Sequence, residues 1–219
     1  MKKILLFIFS IIYIFAFDSN SISTTILLST KHHAIVDKKL TPGMTGYVIH
    51  NNMMIAKAIS LGKGNVKYLP LVKLKNTALA TPAIMPQKGD KIIFGLYNFR
   101  GLIIAPNKSA YQKTKDKYPN MTFINSDIFA TYFDTKPTHE DFQNFCKDFN
   151  VGIIDFILDK EYIVDCESFV ILDEKNTTKI KYKKPFFSSY KEFTKSFFSY
   201  TPDDWIAYYK SLLKVANGK

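Results

Sequence analysis

The sequence predicts an α+β protein, a small N-terminal β-barrel-like unit packed with a C-terminal α/β unit that ends in an amphipathic helix. Three observations carry that expectation. Over residues 43–71, apolar runs alternate with turn signals made of Gly and Asn, at strand spacing. From residue 109 onward the pattern changes to capped helices with proline stops, interleaved with short apolar strands. Between the two regimes, residues 92–96 and 102–105 flank the turn signal at 98–101 and read as a buried hairpin, the seam between the halves.

Residues 1–16 read as a secretory signal peptide. Lys2 and Lys3 precede a charge-free run over 4–17, shorter than the about 20 residues a spanning helix needs, and Ala16 is a small residue before Asp18. The alternative is an uncleaved anchor. Signal removal leaves no integral membrane span, and no cysteine follows the signal to carry a lipid. Residues 17–42 form a polar lead-in, expected to be poorly ordered, in which Ile26-Leu27-Leu28 and Ala34-Ile35-Val36 can add a strand.

The barrel-like unit is assigned to 43–107. Residues 46–50, a turn at Asn51-Asn52 and residues 53–61 make a hairpin, and Gly62-Lys63-Gly64-Asn65 turns the chain into a further strand over 66–72. With the 89–105 hairpin these strands suffice for a small, partly closed barrel, and 77–87 with Pro82 and Pro86 reads as a loop across it.

The α/β unit is assigned to 108–219. A helix over 109–118 stops at Pro119, a short strand follows at 121–124, and Ser126 caps a helix burying Ile128, Phe129, Tyr132 and Phe133. Thr138 with Asp141 has the spacing of a capping box, and Phe142, Phe145, Cys146 and Phe149 then form one apolar helix stripe. Strands are expected over 151–158, 162–166 and 169–172. Thr201-Pro202-Asp203-Asp204 opens a last helix with Trp205, Ile206, Tyr209, Leu212 and Leu213 facing inward, and Asn217-Gly218 stops it.

Composition narrows the function. The net charge is +11, yet Arg100 is the single arginine. Lysine lacks the planar fork that reads phosphate and guanine bidentately, so a nucleic-acid partner is not expected and the charge reads as solvated surface favouring acidic partners. Cys146 and Cys166 are too few for a disulfide scaffold; they can pair in an oxidising compartment, and two separate buried thiols is the plainer reading. His32, His33, His50 and His139 show no metal-ligand spacing. His139 and Cys146 are too far apart on one helix for a thiol–imidazole pair, about 10 Å along its axis. Asp155, Asp159 and Asp165 can approach one another as an acid–base set, but carboxylates near strand ends are more often turn residues. The chain reads as a non-enzyme without cofactor or metal.

Several short segments, taken in order, add a family likeness. Gly89-Asp90 with Ile92-Ile93, Leu102-Ile103-Ile104-Ala105-Pro106-Asn107, Tyr118-Pro119-Asn120, Asp127-Ile128-Phe129-Ala130, and Pro137-Thr138 with Asp141-Phe142 and Phe145-Cys146 make up the pattern. It resembles the plasminogen-binding protein N-terminal domain of surface or envelope proteins in Helicobacter- and Campylobacter-like bacteria, over residues 43–172. The resemblance implies an exported, non-enzymatic protein at the cell surface or in the periplasm that captures host plasminogen through lysines. Kringle domains of plasminogen recognise lysine and favour terminal ones. Lys219 is therefore the expected partner-binding residue, its ammonium and terminal carboxylate forming a dipolar pair for a pocket acidic at one end and basic at the other. Glu174-Lys175-Asn176-Thr177-Thr178 is similar to the acid-extended N-glycosylation acceptor of some bacteria of that group, which makes Asn176 a candidate acceptor in a polar turn; the alternative is an ordinary turn. The alternative function is a periplasmic structural or assembly protein that binds another envelope protein.

Overall fold

A computed structural model describes residues 17–71, 84–133, 136–177, 181–189 and 204–216. It is an α+β protein with two sheets. The signal segment and Lys219 lie outside the described residues.

The first sheet closes on itself. Strands β1 (Ile22–Ser29), β2 (His33–Val36), β3 (Thr45–His50), β4 (Met53–Gly62), β5 (Asn65–Leu69) and β6 (Lys91–Phe94) run antiparallel in the order β1-β2-β5-β4-β3-β6, with β6 returning to β1. Asn51 and Asn52 both take positive φ, 46° and 62°, the backbone that a two-residue hairpin turn between β3 and β4 requires. Ala56 and Ala58 on β4 point inward beside Val48, Val66, Ile92 and Phe94, so small and large side chains fill the interior together.

Two of the six strands come from the segment expected as a polar lead-in. β1 and β2 close the barrel, which is complete rather than partial. Their polar residues concealed this. Thr24 is buried with its hydroxyl donating to the Asp37 carboxylate, which also accepts from the Thr25 N–H (3.1 Å). A satisfied threonine costs little inside a barrel wall.

The second sheet has the order β11-β10-β9-β7-β8, built from β7 (Arg100–Ile104), β8 (Thr122–Ile124), β9 (Ile153–Ile157), β10 (Lys160–Asp165) and β11 (Ile171–Asn176). β8, β7 and β9 are mutually parallel, while β9, β10 and β11 meander antiparallel. The expected hairpin between 92–96 and 102–105 therefore does not form. β6 stays in the barrel and β7 becomes a central strand of the other sheet, so the architecture changes within 95–99, not at 107. Gly101, Leu102, Ile103 and Ile104 are all buried, as a parallel strand covered on both faces demands. Gly152 makes the junction possible: a Cβ there would lie 2.5 Å from the Tyr97 carbonyl carbon.

Helices cover both faces. α1 (Lys108–Lys117) is capped by Asn107, whose Oδ1 accepts from the Ala110 N–H at 2.9 Å, and packs Ala110 on Ile103 and Ile157. The short α2 (Ser126–Phe129) is capped by Asn125 rather than Ser126, whose hydroxyl instead donates to the Phe187 carbonyl at 2.6 Å. α3 (His139–Phe149) carries the capping box of Thr138 and Asp141 and lays Phe142 and Phe145 on the opposite face, where Phe129 stacks on Phe142 at 4.4 Å between centroids. Each fully buried phenylalanine contributes about 1.5–3 kcal/mol.

α4 (Trp205–Leu212) starts on Asp204, which accepts from the Ile206 N–H at 2.8 Å. It ends before the expected stop at Asn217-Gly218, because the chain turns to pair Lys214 with Phe169 and Ile171 through main-chain bonds of 2.9 Å each. Trp205 and Tyr209 are buried in the main core, with Ile206, Leu212 and Leu213 partly buried against it. Among the described residues no helix is long and apolar enough to cross a membrane.

Candidate functional site

Two polar arrangements and one covalent link stand out among the described residues. The first arrangement joins barrel to sheet. Asp165, at the end of β10, is buried and accepts from the Thr45 N–H (2.9 Å), the Thr45 hydroxyl (2.8 Å) and the Ser168 N–H (2.9 Å). Burial pushes its carboxyl up, and those donors pull the other way. Ser168 donates in turn to the Gly43 carbonyl at 2.7 Å, and Lys57 pairs with Glu167 at 2.8 Å. A cleft of about 200 Å³ opens beside this joint between Tyr47, Lys57, Tyr97, Gly152 and Glu167. Burial, with Tyr97 and Glu167 nearby, pushes the Tyr47 phenol up to about 12.

Cys146 of α3 lines the same cleft and forms a disulfide with Cys166, just after β10, with Cα atoms 6.2 Å apart. This overturns the reading of two separate thiols. Spacing in sequence could not reveal it, because α3 reaches the turn after β10 only through the packing of its phenylalanine stripe.

The second arrangement lies under α1. Glu161 is nearly fully buried yet accepts from Lys117 Nζ at 2.5 and 2.8 Å and from the Tyr118 hydroxyl at 2.6 Å. Lys175 donates to the same hydroxyl at 3.2 Å. Asp155 occupies the same sheet face, fully buried, and neither of its oxygens has a hydrogen-bond partner among the described residues. Burial and the Glu161 carboxylate push its carboxyl well above the ordinary range, against the pull of Lys117 and Lys175. The three aspartates considered as an acid–base set are thus dispersed: Asp155 sits below α1, Asp165 at the joint, and Asp159 pairs with Lys210 at 2.8 Å. Glu161 was missed. Its alternation with Ile163 and Asp165 along β10 was the available signal.

Two of the four histidines are tied structurally. His50 Nδ1 meets Asp90 at 2.8 Å, and His139 Nε2 bonds the Leu212 carbonyl at 2.6 Å with its ring edge on Phe169. Among the described residues no group of three His, Cys, Asp or Glu side chains can hold a metal ion. Asn176 is exposed, but as the last residue of edge strand β11 opposite Lys160, not in the expected turn. Lys219 falls outside the described residues, as does Thr178 of the acceptor-like segment.

The family described as "Plasminogen-binding protein pgbA N-terminal" matches residues 21–213, a stretch that takes in every strand and helix from β1 to α4. The chain belongs to that family. Plasminogen-binding protein PgbA of Helicobacter pylori strain J99 is 28% identical over 186 residues, and so is its counterpart in strain 26695. Each alignment covers 80% of this chain and 41% of the relative, so the chain spans about two fifths of the length of the curated relatives it matches. No solved structure matches.

Proposed function

We propose that this chain is an exported, non-enzymatic binding protein that captures plasminogen through lysine side chains. The observation that carries the reading is the family match across both sheets together with relatives named for plasminogen binding. Lysine supply supports it: Lys108, Lys113 and Lys115 on α1 are exposed and carry no ion pair among the described residues. An ammonium in that state keeps its full donor capacity for an acidic pocket. Lys219 is a further lysine proposed for that contact. Asn176 stands exposed for glycan attachment in the same exported setting.

Surface-binding measurements on immobilised plasminogen, with intact protein and a form lacking Lys219, test this. The intact form should bind, a free lysine analogue should compete, and high salt should weaken the contact. If Lys219 is the lysine gripped, its removal should weaken binding by more than removing any one internal lysine. Equal binding by both forms transfers the role to internal lysines. No binding by either replaces plasminogen with another envelope component as partner, and protease shaving of intact cells then places the protein at the surface or in the periplasm.

A further inference from the structure

The parallel part of the second sheet has a topological switch point. From β7 the chain passes through α1 to β8 on one side, then crosses back through α2 and α3 to β9 on the other. In open α/β sheets, ligands bind in the crevice outside the carboxyl ends of the strands where the order reverses. Residues 181–189 lie across those ends here. The Tyr182 hydroxyl reaches the carbonyls of Ile104 and Ile157, the last residues of β7 and β9, at 2.9 and 2.8 Å, and the Phe187 N–H donates to the Ala105 carbonyl at 2.6 Å.

Between this strap and the start of α1 lies a groove of about 690 Å³. Lys108, Lys181, Lys183 and Lys184 line it, all exposed and none ion-paired among the described residues. Among the described residues no carboxylate lines it; Asp127 is engaged by the Ser189 N–H at 2.8 Å. The first turn of α1 carries no acid either. Four like charges around one concavity repel one another, which disfavours the arrangement unless a counter-charge enters. Half-buried Phe187, packed on Tyr111 at 5.4 Å between centroids, gives the groove an apolar wall.

We infer that this groove binds a phosphate-bearing ligand, with the four ammonium groups around a phosphate monoester and Phe187 against the apolar part of the molecule. A monoester carries close to two negative charges and three acceptor oxygens at neutral pH, whereas a single carboxylate offsets only one lysine. Lysine acts on phosphate as a point charge, so the absence of arginine forks from the groove is no obstacle. Phosphate binding here does not rest on plasminogen capture, although Lys108 is common to both readings. Its phosphate can come from a soluble ester or from a lipid headgroup.

Calorimetric titration with glycerol phosphate and co-sedimentation with phosphatidic acid vesicles test it, with phosphatidylcholine vesicles as the neutral control. The whole protein is compared with Lys183→Glu/Lys184→Glu and with Lys113→Ala/Lys115→Ala, which alters α1 outside the groove. Saturable binding should weaken at least about tenfold in the first variant and stay unchanged in the second. Unaltered melting of both variants will show that folding is intact. Binding of glycerol phosphate assigns a soluble ester; binding confined to phosphatidic acid vesicles assigns the headgroup. Absence of saturable binding to either probe, or equal loss in both variants, overturns the inference.

Discussion

Replacing Cys146 and Cys166 together by alanine would remove the covalent link between α3 and the turn after β10. The two residues are 20 apart in sequence. Closing a loop of that length beforehand restricts the unfolded chain by about 3 kcal/mol in the chain-entropy treatment. Both side chains also belong to the main core, so losing two sulfur atoms adds on the order of 1 kcal/mol of packing. A chain of this size moves its midpoint by about 2–4 °C per kcal/mol, which gives a drop on the order of 10 °C for the double variant. Thermal and urea unfolding, each with and without reductant, measures it. Reductant should lower the wild-type midpoint by most of that amount and leave the variant unmoved. Native secondary structure should persist at low temperature, because Phe142 and Phe145 still seat α3 on the sheet. If reductant cleaves the bond, as thiol titration would show, and the wild-type midpoint does not move, the reasoning fails.

Two further expectations concern buried groups. The folded-state pKa of Asp155 is raised, so its contribution to stability is complete below the ordinary carboxylate range and is lost as pH rises through that raised value. Asp155→Asn should therefore raise the melting temperature near neutral pH, with the gain fading as pH falls toward about 4; a gain independent of pH would refute this. Gly152→Ala would drive a methyl group to 2.5–2.6 Å from backbone atoms of Tyr97 and Asn98, which cannot swing aside as a side chain does. A cost of about 1–3 kcal/mol is expected from urea midpoints, and a shift within experimental error would show that the junction yields.

Local features were legible in the sequence because their causes are local. The capping box of Thr138 and Asp141, the phenylalanine stripe of α3 and the hairpin between β3 and β4 each depend on residues within about two turns or a few positions of one another. So does the change from strand to helix rhythm at residue 109, although the passage from barrel to second sheet lies earlier, within 95–99. The ordered series of short segments also carried the family likeness, which the match over residues 21–213 bears out.

Other features are decided only by what packs against what. β6 and β7 look like hairpin partners because both are apolar and a turn separates them, yet β7 pairs along both edges with β8 and β9, between helices that cover both its faces. Strand identity reads from alternation along the chain; strand partnership is a competition among distant segments that no local pattern encodes. The same holds for β1 and β2, for the Cys146–Cys166 bond, and for Glu161 beside Asp155. The lysines of the groove belong to this class as well. Lys108, Lys181, Lys183 and Lys184 are unremarkable members of a lysine-rich chain until the strap crosses the carboxyl ends of the parallel strands and sets them around one cavity. Sequence determined which residues carry charge and which form elements; tertiary structure alone decided which charges share a site, because electrostatic coupling depends on separation in space and not along the chain.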